Sequence, residues 1–292
     1  MITFGATTLP LVGWVADPRR HEESRMMRLS AIRKLIESYN LQAVELTLDL
    51  AAGYPQLFDA GFYAAVADLQ QELGFLGTIH LPFLWVDPAS LNEPIRLASA
   101  ACLHQAVEVT RTVDIHTYVL HLWGFTTTQI SAQLQDPTQR QVILGAVMTQ
   151  ADRSLAELCR FVDPRDLCVE NLEDSLFDLA LPLIEQHGTS ICLDVGHLAW
   201  QGVSEVDFLA QHLDRIREIH LHDAVLPSAE SRYQIRDHLA LGQGQVDYLA
   251  LLSRLEETRY DGAVILEVNT QPDLEESLER LSKYASFSIE TA

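Results

Sequence analysis

The 292-residue chain is close to the ~250 residues of a closed (β/α)8 barrel, and its 48% hydrophobic and 21% charged residues are ordinary for a globular protein. Forty-one acidic residues face 20 basic ones, a net charge of −21 with no basic stripe, which argues against a nucleic acid backbone as the working partner. No apolar run approaches the ~18 residues that span a bilayer, and Met1-Ile2-Thr3-Phe4-Gly5 reads as a strand rather than a leader, so a cytoplasmic location is expected.

In chain order, short β-rich runs alternate with stretches whose apolar residues recur every 3.6 positions. The expected strands are Ile2–Thr8, Ala43–Asp49, Leu76–Leu81, Tyr118–Trp123, Leu167–Leu172, Ser190–Val195, Ile216–Leu221 and Ala263–Val268. The expected helices between and after them are Glu22–Tyr39, Asp59–Leu73, Asn92–Thr112, Thr138–Phe161, Asp174–His187, Val206–Leu213, Val246–Glu257 and Leu274–Ala285. Parallel strands need helical crossovers, so eight strand–helix units predict a (β/α)8 TIM barrel. An open doubly wound sheet would carry a Gly-rich phosphate loop after its first strand, and Gly5-Ala6-Thr7-Thr8-Leu9-Pro10 supplies none. No repeat, low-complexity tract or Pro/Gly/Ser linker divides the chain, so one domain over residues 1–292 is expected. Cys102, Cys159, Cys168 and Cys192 form no C-x-x-C pair and read as buried, reduced thiols.

Active sites of such barrels are built where the strands end. Here strand three ends on Thr78-Ile79-His80, strand four on Val119-Leu120-His121 and strand five on Cys168-Val169-Glu170. Strand six gives Asp194-Val195-Gly196-His197, strand seven Ile219-His220-Leu221-His222, and strand eight Ile265-Leu266-Glu267. Six successive apolar runs each end in a group that an apolar core would not bury unpaired. Divalent metal resolves that problem, because it binds neutral imidazoles and carboxylates together. His21, His104, His116, His187 and His212 fall on expected helices or loops and read as surface or structural residues.

These segments, with the D-x-x-H signature of Asp194 and His197 the sharpest of them, resemble the xylose-isomerase-like TIM barrels. That superfamily holds AP endonucleases, sugar isomerases and sugar epimerases. The resemblance implies a four-ligand metal site of Glu170, Asp194, His220 and Glu267. It implies that His80 and His121 complete a second site bridged by Glu170, and that His197 and His238 ligate a third ion. The order Arg236-Asp237-His238 before Leu241-Gly242-Gln243-Gly244 displaces the endonuclease carboxylate by one position and puts the third ion in doubt. A narrower resemblance joins His80-Leu81-Pro82, Tyr118–Leu122, Leu167–Glu173 and Arg236-Asp237-His238-Leu239 to the phosphodiesterases that remove the nucleotide loop of cobamides.

Isomerases need one ion to polarise a carbonyl, whereas phosphodiester hydrolysis uses two. His80 and His121 therefore set the expectation: a two-ion hydrolase of a small-molecule or cofactor phosphodiester, with zinc or manganese bound. In it Glu170 and Glu267 serve catalysis as well as ligation, and His222 and His238 contact phosphate or protonate the leaving group. The alternative is a one-ion sugar isomerase or epimerase, and after it a metal-containing binding barrel without activity. Trp85, Trp123 and Trp200 are candidates to stack on a flat substrate group, and Arg232 and Arg236 to clamp an anion.

Overall fold

The computed structural model describes residues 2–13, 18–172, 176–226 and 236–283, the side chains of residues 18 and 130–132 excepted. The strands are β1 (Thr3–Thr7), β2 (Ala43–Thr47), β3 (Leu76–His80), β4 (Ile115–Leu120), β5 (Leu167–Glu170), β6 (Ser190–Asp194), β7 (Ile216–Leu221), β8 (Asp223–Val225), β9 (Arg236–Leu239) and β10 (Ala263–Leu266). Eight of them close into a parallel barrel in the order β1-β10-β7-β6-β5-β4-β3-β2. The expected TIM barrel is the fold.

Alternation along each strand explains both its stability and its site. Val44, Ile79, Leu120, Val169, Ile191, Leu193, Ile219, Leu221, Val264 and Leu266 face outward into one apolar cluster shared with the helices. Each such side chain contributes roughly 1.5–3 kcal/mol by leaving water. The inward positions are stacked in layers. Ala43, Ala263 and Ile265 pack together as one small apolar set, while Val119, Cys168 and Cys192 form a second. Glu45, Thr78, Thr117 and Glu218 are buried with them, and His80, Glu170, Asp194 and His220 stand at the rim. Both Cys168 and Cys192 are buried free thiols, as expected, whereas Cys102 and Cys159 are half-buried.

The sequence placed strand four too late. It runs Ile115–Leu120, because β4 pairs with β3 from Gly77 and Ile115 onward through an irregularity at Gly77/Thr78. His121 and Trp123 thus lie beyond the strand. The antiparallel hairpin β8–β9 was not expected, nor were the short helices Leu9–Val12, Asp49–Gly53, Phe125–Gln133 and Val195–Gln201. The expected helices at Asp174–His187 and Leu274–Ala285 are seen as Phe177–His187 and Gln271–Leu281. Asp174 and residues 284 and 285 lie outside the described residues. No described helix is long and apolar enough to cross a membrane.

Candidate active site

Buried aspartates tie the loops at the C-terminal rim to one another. Asp49, after β2, accepts the N–H groups of Phe83 and Leu84, at 3.0 and 2.8 Å, and so fixes the loop after β3. Asp87 on that loop accepts from Gly124 N–H at 3.0 Å and Thr127 hydroxyl at 2.7 Å, fixing the turn after β4. Asp223 accepts from the N–H groups of Gly242, Gly244 and Val246 and holds the loop before the helix Tyr248–Thr258. The rim is therefore built by buried aspartates that accept mainly from backbone N–H groups.

Inside that rim the expected ligands converge. One ligand atom each from Glu170, Asp194, His220 and Glu267 lies within 4.8 Å of the other three. His220 Nδ1 is 2.9 Å from Glu267 Oε2, 3.4 Å from Glu170 Oε1 and 3.9 Å from Asp194 Oδ2. Yet His220 Nδ1, Glu267 Oε2 and Glu170 Oε2 are buried with no aligned hydrogen bond. Ligand atoms that crowd together without an aligned hydrogen bond fit a divalent cation, as does a donor set of three carboxylates and an imidazole.

The D-x-x-H segment shows how sequence places these groups. Asp194 ends β6 and caps the helix Val195–Gln201, its Oδ1 accepting His197 N–H at 2.7 Å. A loop-to-rim pair holds it from behind: Asn171 donates to Asp194 O at 2.8 Å and accepts from Asp194 N–H at 2.9 Å. His222 Nε2 lies 3.1 and 3.0 Å from the two oxygens of Asp194. Gly196 makes this possible, since a Cβ there would collide with the His222 ring.

His80 and His121 join the cluster through Glu170. Their Nε2 atoms lie 3.3 and 2.9 Å from Glu170 Oε2. His80 donates Nδ1–H to Leu81 O at 2.9 Å, so Nε2 of the neutral ring is a lone pair and pairs with the carboxylate only when the ring is protonated. Without a cation, burial alone would lower the His80 pKa, but the facing Glu170 reverses that and lifts it to about 10. Burial likewise pushes Glu170 upward, and His121 and His220 outweigh it, holding the carboxyl well below its ordinary range.

His197, His222 and His238 form a second group whose ligand atoms also fall within 4.8 Å. His222 and His238 stack with centroids 4.4 Å apart and planes 7° from parallel. The displaced carboxylate of Asp237 now has a use: its Oδ1 lies 3.0 Å from His238 Nδ1 and orients that ring. The expectation that His222 contacts substrate is corrected. It is fully buried, its Nδ1 accepts His238 N–H at 2.9 Å, and its Nε2 is committed to Asp194.

One aromatic candidate is also corrected. Trp123 is 2% exposed and packs within the core, so it cannot stack on a substrate. Trp200 is half-buried against the same core. Trp85 differs, being 79% exposed on the loop after β3. Arg236 is exposed in β9, and Arg232 lies outside the described residues. Sequence reasoning missed Glu45 and Glu218, both fully buried beneath the rim. The signal was there: single acids inside the apolar strands Ala43-Val44-Glu45-Leu46 and Ile216-Arg217-Glu218-Ile219.

Residues 21–284 match the family described as xylose isomerase-like TIM barrel. The chain belongs to that family. Among curated relatives, an uncharacterized protein of Methanocaldococcus jannaschii is 23% identical over 212 residues, covering 70% of this chain and 69% of its own. Inosose dehydratase of Lacticaseibacillus casei is 25% identical over 107 residues, 32% of this chain and about a third (35%) of that enzyme. Among solved structures, a D-tagatose 3-epimerase-like protein superposes with a TM-score of 0.71 at 20% identity, covering 97% of both chains. A D-psicose 3-epimerase superposes with a TM-score of 0.68 at 14% identity, over 97% of this chain and 98% of that one.

These comparisons overturn the expected hydrolase. Epimerases, an epimerase-like protein and an inosose dehydratase stand where a phosphodiesterase of cobamides or other small molecules was anticipated. The inference rested on His80 and His121 demanding a second ion. In the structure both imidazoles face Glu170 Oε2, at 3.3 and 2.9 Å, so they share a carboxylate with the ligand quartet.

Proposed function

We propose that this member of the family is a divalent-metal-dependent isomerase or epimerase of a small polyhydroxylated carbonyl compound, a sugar or a related cyclic ketone. The observation that carries this reading is the convergence of Glu170, Asp194, His220 and Glu267, whose ligand atoms lie within 4.8 Å of one another. These four would hold the ion, with manganese, cobalt or zinc suited to the mixed oxygen and nitrogen set. Bound there, it would polarise a carbonyl and its neighbouring hydroxyl and so acidify the carbon between them.

The protein's own groups supply the proton transfer. Glu170 on β5 and Glu267 after β10 approach from opposite flanks of β6 and β7 in the barrel order. Two carboxylates so placed serve to take a proton from one face of a carbon and return one to the other. His121 and His238, whose side chains are 15% and 24% exposed, are the imidazoles open to a ligand and would hydrogen-bond its hydroxyls. His80 and His197, nearly buried, would orient Glu170 and Asp194 behind them. Trp85 would cover the bound sugar from the loop after β3.

The test is solvent exchange. The protein loaded with Mn²⁺ is incubated in deuterated water with ketopentoses, ketohexoses and inososes, and the carbon beside the carbonyl is followed by NMR. Deuterium should enter at that carbon in at least one of them and should not in Glu267→Gln. Absence of exchange in every ketose and inosose, with Mn²⁺ demonstrably bound, refutes the reading.

A further inference from the structure

Beneath the ligand quartet lies a layer that the proposed chemistry does not touch. Glu45 on β2 and Glu218 on β7 are both fully buried inside the barrel, and an atom of each lies within 4.8 Å of the other and of His220. Their hydrogen-bond partners are an imidazole and a hydroxyl: His220 Nε2 is 3.1 Å from Glu45 Oε2, and Thr117 donates to Glu218 Oε2. The second oxygens, Glu45 Oε1 and Glu218 Oε1, have no hydrogen-bond partner. A carboxylate in such a place is costly, so its contact with His220 is the feature to explain.

The two nitrogens of His220 face opposite ways. Nδ1 points to Glu267, Glu170 and Asp194, while Nε2 points down to Glu45. One neutral tautomer satisfies both sides: Nε2–H donates to Glu45, and Nδ1 keeps its lone pair for a cation. We propose that Glu45 is a positioning residue for the metal, fixing the tautomer and plane of His220 and raising the basicity of its Nδ1 from the barrel interior. The inference rests on the metal reading above and adds to it a residue outside the ligand set. Ligating imidazoles backed by a carboxylate bind metal about 10–100-fold more tightly than those that lose it. Glu218 is the matched control, because it is equally buried but bonds Thr117 rather than the imidazole.

The experiment is calorimetric titration of Mn²⁺ into the metal-stripped full chain as wild type, Glu45→Gln and Glu218→Gln. Glu45→Gln preserves shape and should weaken Mn²⁺ binding about 10–100-fold, with Glu218→Gln binding close to wild type. Unchanged binding in Glu45→Gln, or an equal loss in both variants, overturns the proposal while leaving the isomerase reading standing. A wild type that binds no Mn²⁺ overturns both. Should Glu45→Gln fail to fold, ring-nitrogen NMR of the wild type with Zn²⁺ decides. The expected spectrum shows His220 metal-bound at Nδ1 and protonated at Nε2, and the reverse assignment refutes the proposal.

Discussion

Replacing Gly196 with alanine adds one methyl group where the structure has no room. The new Cβ would overlap the His222 ring, which is fully buried and bonded on both nitrogens, to Asp194 and to His238 N–H. Forcing the ring aside adds an overpacking cost of about 1–3 kcal/mol. Losing the bond from His222 to the Asp194 carboxylate adds about 1.5–3 kcal/mol. Alanine returns about 1 kcal/mol as the better helix former within Val195–Gln201. The net loss is about 1.5–5 kcal/mol. At roughly 2–4 °C per kcal/mol for a chain of this size, the melting temperature should fall by about 10 °C. Gly145 is the control, since it sits exposed within the helix Pro137–Leu158 and a Cβ there meets nothing within 4 Å. Gly145→Ala should raise the melting temperature by a few degrees at most, on the order of 1 kcal/mol. Calorimetric melting of both variants is the assay, with Mn²⁺ affinity as a second reading because Asp194 loses its support. A Gly196→Ala protein that melts and binds Mn²⁺ like wild type refutes the account of the D-x-x-H segment.

Three further outcomes are expected. Trp123→Ala should cost about 3–5 kcal/mol by denaturant unfolding, as for a core aromatic, whereas Trp85→Ala should stay within about 0.5 kcal/mol; equal effects would contradict their assigned places. The Glu93 carboxyl is held down to about 2 by Arg96 and then Arg153. A lowered carboxylate pKa stabilises the folded state above the ordinary carboxylate range and loses that contribution as pH falls toward 2. Melting temperature measured from pH 6 to pH 2 should therefore drop less steeply in Glu93→Gln than in wild type, and parallel curves would argue against the pairing. Leu193→Ala, which empties an outward barrel position against the helices, should cost about 2–5 kcal/mol in chemical denaturation; a loss below 1 kcal/mol would mean that face is loosely packed.

The barrel was legible because every strand joins an apolar run to a polar end, and the six expected ligand strands do deliver their groups to one rim. The strand-end pattern put Glu170, Asp194, His220 and Glu267 among the expected ligands, and the resemblance to the family grouped those four. The same logic applied to Glu45 and Glu218, which lie mid-strand rather than at the end. Their role depends on which layer of the interior each strand register places them in, and register is a tertiary property. Trp123 failed for a related reason: an aromatic residue just past a strand reads alike whether it lines a pocket or packs under a loop. The hairpin β8–β9 was invisible because its strands are three and four residues long and carry no alternating apolar face. The reaction class misled because the resemblance implies one four-ligand set for both hydrolases and epimerases, and the imidazoles of His80 and His121 beside Glu170 read in sequence as calling for a second ion.

Crystals of the protein soaked in Mn²⁺ and measured at the manganese absorption edge address the central claim without any assumption about substrate. The account predicts one strong anomalous peak bounded by Glu170, Asp194, His220 and Glu267, with His220 coordinating through Nδ1. A map without a peak among those four residues, or with the manganese held elsewhere, would contradict it.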